Sequence, residues 1–121
     1  MLDSSEEDIR RVFDVNTISH FLLCKEFLPA MIAANHGHLV TVASMASFSC
    51  SSAIVDYSCS KASALAFHEG ITQELAHNYK APKVRTTSVH PFWVRTPLTH
   101  ELEKSPNFKS WMLDPQTVSV D

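Results

Sequence analysis

His38-Leu-Val-Thr-Val-Ala-Ser44 reads as a strand that ends at a serine, and Tyr57-Ser-Cys-Ser-Lys61 follows, its tyrosine thirteen positions beyond that serine. Residues 38–43 form a β-branched run, the pattern of a strand buried on both faces. Ala46 to Ser52 is small and polar and reads as a loop. A helix over 54–79 comes next. Tyr57, Lys61, Leu65, His68 and Thr72 trace one stripe along it, Ala62, Ala66 and Leu75 favour it, and Lys80-Ala-Pro82 ends it. Val84 to Val89 is again β-branched, a second strand. Strand, long helix and strand make a βαβ crossover, hence a parallel pair and an α/β fold.

Upstream, Asp3 or Ser4 suits an N-cap, and Glu6, Glu7 and Asp8 put negative charge where the helix dipole favours it. Ile9, Val12, Phe13, Asn16, His20, Leu23, Phe27 and Met31 recur at three- and four-residue steps, which predicts one long helix over 5–34. Pro29 is expected to bend it or end it early, and Asn35-His-Gly37 is its stop signal. From Pro91 onward a loop leads to a short helical piece near 98–104. An irregular tail follows over about 105–121, with Pro106 and Pro115.

The 121 residues suffice for one small domain, and 45% apolar with 19% charged residues fits a globular chain. A formal charge of −3 with ten scattered Lys and Arg residues gives no footprint for nucleic acid, so no such partner is expected. Cys24, Cys50 and Cys59 lack C-x-x-C spacing and read as reduced thiols of an intracellular protein. The acidic, polar beginning is unlike a signal or transit peptide. Apolar stretches such as Phe21-Leu-Leu-Cys24 are interrupted by Lys25 and Glu26 well short of ~20 residues, so no membrane span is expected. His36 and His38 flank a glycine at a helix–strand turn without a carboxylate cluster, and no metal is proposed. Glycine occurs only at 37 and 70. A dinucleotide-binding turn needs several closely spaced glycines, so none is expected within these residues.

The chemistry centres on the second helix. A phenol and an ammonium four residues apart share one helix face. A phenol titrates near ~10, and a neighbouring cation favours its ionised form, toward the range where general acid–base catalysis works best. Tyr-x-x-x-Lys alone is common on amphipathic helices. Its surroundings give it meaning: the strand ending at Ser44, the helix carrying Phe13-Asp-Val-Asn16, and Thr87-Ser-Val-His-Pro91 running into Val94-Arg-Thr96-Pro97. A mid-helix asparagine is intrinsically unfavourable, which suggests a purpose for Asn16, with a capping or packing role as the alternative. These blocks, in this order over about residues 3–98, resemble the short-chain dehydrogenase/reductase family.

The resemblance implies a Rossmann-type doubly wound parallel sheet, of which this chain would be the C-terminal catalytic half. The first strands and glycine loop would precede Met1, leaving residues 1–121 a single incomplete domain. It implies catalytic roles for Asn16, Ser44, Tyr57 and Lys61. Tyr57 would be the general acid or base, and Ser44 would hold the substrate oxygen. Lys61 would assist Tyr57 and bond the nicotinamide ribose, and Asn16 would hold a water in a proton relay to Lys61. Pro91, Val94 and Thr96 match the segment that lies along the nicotinamide, with Tyr57 and Lys61 also contacting cofactor. Phe92 stands where that segment carries glycine, and a bulky residue cannot adopt positive φ cheaply.

Phe92, Trp93, Leu98 and Trp111 suit either an apolar pocket or ordinary packing. The resemblance is greatest to the branch of retinol and hydroxysteroid dehydrogenases. It implies NAD or NADP as cofactor and alcohol–carbonyl interconversion on a lipophilic small molecule. It also implies a homo-oligomer through the two long helices, and a cytoplasmic or membrane-associated place in the cell. The 121-residue chain itself is expected to be inactive. The alternative is a non-catalytic remnant that binds an intact paralogue through its helices.

Overall fold

The structure is a computed structural model, and the residues it describes are 2–50, 54–97, 99, 104 and 118–119. They fall into two compact units, Met1–His90 and Pro91–Asp121.

The first unit opens with α1 (Glu6–Phe13), capped by Ser5, whose Oγ accepts the Asp8 backbone N–H at 3.1 Å. The cap is thus Ser5 rather than Asp3 or Ser4, because Ser5 stands three before Asp8, the reach an N-cap hydroxyl needs. A five-residue π-helical turn, Asp14–Ile18, joins α1 to α2 (Ser19–Ala34). The long helix is therefore present, with its irregularity at Asn16. Pro29 lies inside α2, which runs on to Ala34 and is not ended early. Its ring is exposed, so it costs one backbone bond, while buried Cys24 and Leu28 hold the preceding turns in place. Asn35, at φ 44°, ends the helix in the left-handed conformation, and Gly37 instead begins the strand.

Strand β1 (Gly37–Val42) leads through a 3-10 turn, Met45–Ser47, toward α3 (Val55–His77), and β2 (Val84–Val89) returns. The 3-10 turn lies in the stretch expected to be a plain loop. β1 and β2 pair in parallel with Gly37 opposite Val84 and Val42 opposite Val89. Cys24 and Leu28 of α2, Leu75 of α3, Ala81 and Val84 form the core. Phe67 of α3 stacks on His20 and meets Phe21 edge-on, which ties α3 to α2. Thr41 is buried and hydrogen-bonded to His68 of α3, whereas Val40 and Val42 are about half exposed (52% and 53%). The expected burial of this strand on both faces is not found, because the described helices cover only its Leu39 and Thr41 face.

The helix Glu6–Ala34 spans 29 residues and is long and apolar enough, by length and composition, to cross a membrane, which the break at Lys25 and Glu26 was expected to prevent. It packs here on a sheet and on α3.

In the second unit, β3 (Val94–Arg95) pairs in parallel with β4 (Val118–Ser119). A strand thus forms near the end of the tail expected to be irregular. Most of the helical piece expected near 98–104, and the tail over 105–117, lie outside the described residues, as do Leu98 and Trp111.

Candidate active site

The end of β1 carries Ser44. The Ala43 backbone N–H donates to the Val89 carbonyl at 2.9 Å, carrying the strand pairing up to the serine. Ser44 is extended and buried, and caps the 3-10 turn by accepting the Ala46 N–H at 3.1 Å. Acceptance leaves the hydroxyl proton of Ser44 available to an oxygen of a ligand.

Tyr57 lies in the first turn of α3 and is half-buried; its backbone N–H donates to Asp56 Oδ1 at 2.8 Å. One turn later, Lys61 Nζ donates to the Val42 carbonyl at 2.9 Å and sits 5.9 Å from the centre of the Tyr57 ring. The Ser47 hydroxyl donates to the Lys61 carbonyl at 2.9 Å, so the helix and the strand end are fastened at two points. Burial lowers the pKa of Lys61 from its ordinary value. One of its three protons is spent on Val42, and two remain for other acceptors.

Asn16 enters from the π turn. Its Nδ2 donates to Ser60 Oγ at 3.1 Å, and Ser60 Oγ donates to the Tyr57 carbonyl at 2.7 Å. Thr17 Oγ1 donates to the Ser60 carbonyl at 3.0 Å. Asn16 is thus linked to α3 through Ser60, and Lys61 to the end of β1 at Val42, two residues before Ser44. Pro91, Val94 and Thr96 belong to the second unit, where the Thr96 N–H donates to Thr99 Oγ1 at 2.8 Å and Thr99 Oγ1 donates to the Val94 carbonyl at 2.8 Å. Phe92 is exposed and is not among the positive-φ residues, Asn35 and Lys80. The loop thus accommodates the bulky side chain by avoiding the glycine conformation.

Three neighbours were not singled out from sequence. Ser60 and Thr17 join the helices, and His90 places Nδ1 3.4 Å from the Ser44 carbonyl. Ser60 had a signal of the Asn16 kind, a short polar residue inside a helix where propensity disfavours it. His20, one turn beyond Asn16, is half-buried, with its pKa lowered by burial and then by the charge of Lys61. An apolar cavity of about 170 Å³ lies between α2, β1 and α3, lined in part by His20, Phe27, Leu39 and Phe67. Tyr57 and Lys61 are not in its walls.

Residues 1–107 match the short chain dehydrogenase family. The chain is 55% identical over 87 residues to Dehydrogenase RED3 of Cochliobolus heterostrophus, covering 72% of this chain and 44% of that protein. It is 36% identical over 111 residues to 17-beta-hydroxysteroid dehydrogenase 13 of Homo sapiens, covering 92% of this chain and 35% of that protein. A short chain dehydrogenase from Burkholderia cenocepacia, solved in complex with NADP, aligns with a TM-score of 0.73 at 26% identity, over 95% of this chain and 42% of its own. The chain spans less than half the length of each of these relatives. With the family match running through both strands and both long helices, the chain belongs to the short chain dehydrogenase family.

Proposed function

We propose that these residues form the catalytic part of an NAD(P)-dependent oxidoreductase that interconverts an alcohol and a carbonyl. The observation that carries this reading is the fastening of Lys61 to the end of β1, with its ammonium 5.9 Å from the Tyr57 ring. A half-buried ammonium with spare protons beside a phenol suits the hydroxyls of a ribose, so the donor set fits the nicotinamide end of a dinucleotide. The pyrophosphate end calls for closely spaced glycines, which Gly37 and Gly70 do not supply. When bound, the cofactor supplies or accepts the hydride.

Tyr57 gives a proton to the carbonyl oxygen in reduction and takes one from the hydroxyl in oxidation. The hydroxyl of Ser44 holds that same oxygen, and Lys61 places its ammonium one helical turn beyond Tyr57 on the same face. Asn16 holds a water through which Lys61 exchanges protons with solvent. Pro91, Val94 and Thr96 are proposed to line the nicotinamide.

A lipophilic substrate, such as a steroid-like alcohol, is supported by the name of the human relative. Self-association through the long helices is supported by the exposed apolar side chains Phe21, Leu22 and Phe27 along α2. A cytoplasmic or membrane-associated location is part of the same proposal.

Tyr57→Phe in the active protein tests the assignment, since it removes only the hydroxyl. Turnover is expected to fall by ~10²–10⁴-fold with an unchanged fold. Near-wild-type turnover would remove Tyr57 as the proton donor.

A further inference from the structure

The backbone pairing of β1 with β2 stops one residue short of Ser44, at the bond from the Ala43 N–H to the Val89 carbonyl. A side chain takes over from there. His90, which follows Val89, places Nδ1 3.4 Å from the Ser44 carbonyl, and its ring centre lies 4.8 Å from that of Phe48. Ser44 and Phe48 flank the 3-10 turn on either side, so one imidazole touches both of its ends. A carbonyl oxygen only accepts, so in the neutral ring Nδ1 must carry the proton. Nε2 is then bare, and the Ser88 hydroxyl, 2.9 Å away, donates to it.

We infer that His90 is a positioning residue, which holds the backbone of Ser44 from the neighbouring strand and so aims the serine hydroxyl at the substrate oxygen. The inference rests on the role of Ser44 given under the proposed function. A serine hydroxyl points where its backbone sends the Cα–Cβ bond. The Ser44 Oγ accepts the Ala46 N–H, and the Ser44 carbonyl accepts the Ser47 N–H at 3.0 Å. Both of those donors belong to the serine's own turn and move with it. His90 instead approaches from the end of β2, and Ser88 fixes the tautomer that lets it donate.

The test uses the active protein. NMR of the His90 ring nitrogens is expected to show the neutral ring protonated at Nδ1 and bare at Nε2. His90→Leu should lower kcat about tenfold, the value of one hydrogen bond of ordinary strength. The same change made in Ser44→Ala should cost less than about twofold, because His90 acts through Ser44. His90→Asn carries an N–H donor at the place of Nδ1 and should restore most of the rate, whereas His90→Gln, with its donor at the place of Nε2, should not.

A neutral His90 protonated at Nε2 would overturn the inference. So would an unchanged kcat in His90→Leu, an equal loss in the Ser44→Ala background, or a folded His90→Asn no faster than His90→Leu. Should Ser44→Ala prove fully active, the proposed role of Ser44 fails, while the tautomer still decides whether His90 holds its carbonyl.

Discussion

Lys61 joins two elements with one side chain, since its ammonium bonds the strand end at Val42 while its backbone belongs to α3. Burial disfavours the charged form, so Lys61 gives up its proton at lower pH than a free lysine does. If turnover needs the ammonium, the rate must fall on the alkaline side as this proton is lost, earlier than the ordinary lysine value of ~10.4 would allow. Lys61→Met is expected to lose roughly 10²-fold or more in kcat, and its residual rate should lack that alkaline fall. A pH–rate profile identical to wild type would show Lys61 to be an ordinary packing residue. At this scale the sequence offers Tyr57, Lys61, Ser44 and Asn16 as candidates through fixed spacings on regular elements, and the elements that carry them are found where those spacings put them. Ser60 was not legible as a partner, because its importance comes from who faces it across two helices, and no spacing records that.

Among the elements, β2 begins and ends where its β-branched run does, and α3 matches the helix expected over 54–79 to within two residues at each end. Such patterns are local, so the sequence displays them. The π turn at Asp14–Ile18 is different. It adds a residue within a turn so that neighbouring side chains can reach α3, a tertiary demand that leaves no trace in apolar periodicity. The passage through Pro29 is likewise fixed by packing on either side of it.

The junction of α2 and β1 offers a sharper test. A Cβ placed on Gly37 would stand 2.8 Å from Met31 Cγ and Sδ, and 3.0 Å from its Cβ. Gly37→Ala is expected to destabilise the fold by about 1–3 kcal/mol, as overpacking does. Urea unfolding measures it, and Met31→Ala in the same background should recover part of the loss. Equal stability of Gly37→Ala and wild type would mean that α2 lies farther from the strand.

For the molecule as a whole, Val40, Val42 and Val89 are substantially exposed on the sheet, and the only glycines stand 33 residues apart. A protein made of these 121 residues alone is expected to bind neither NADH nor NADPH measurably, because the pyrophosphate lacks a glycine-rich turn at a helix N-terminus. Isothermal titration of the soluble chain checks this, and saturable binding at micromolar cofactor would contradict it. Fusion to a family-type N-terminal half should restore both binding and turnover.

The parallel register of β1 and β2 also matters to anyone labelling the protein. Both strands run toward Ser44 and His90, so the turn after α3 lies at their far end. Six residues of strand separate the two by roughly 20 Å. A fluorophore on the exposed Asn78 would therefore ride on the same rigid unit as the chemistry, yet far enough away to watch it without taking part.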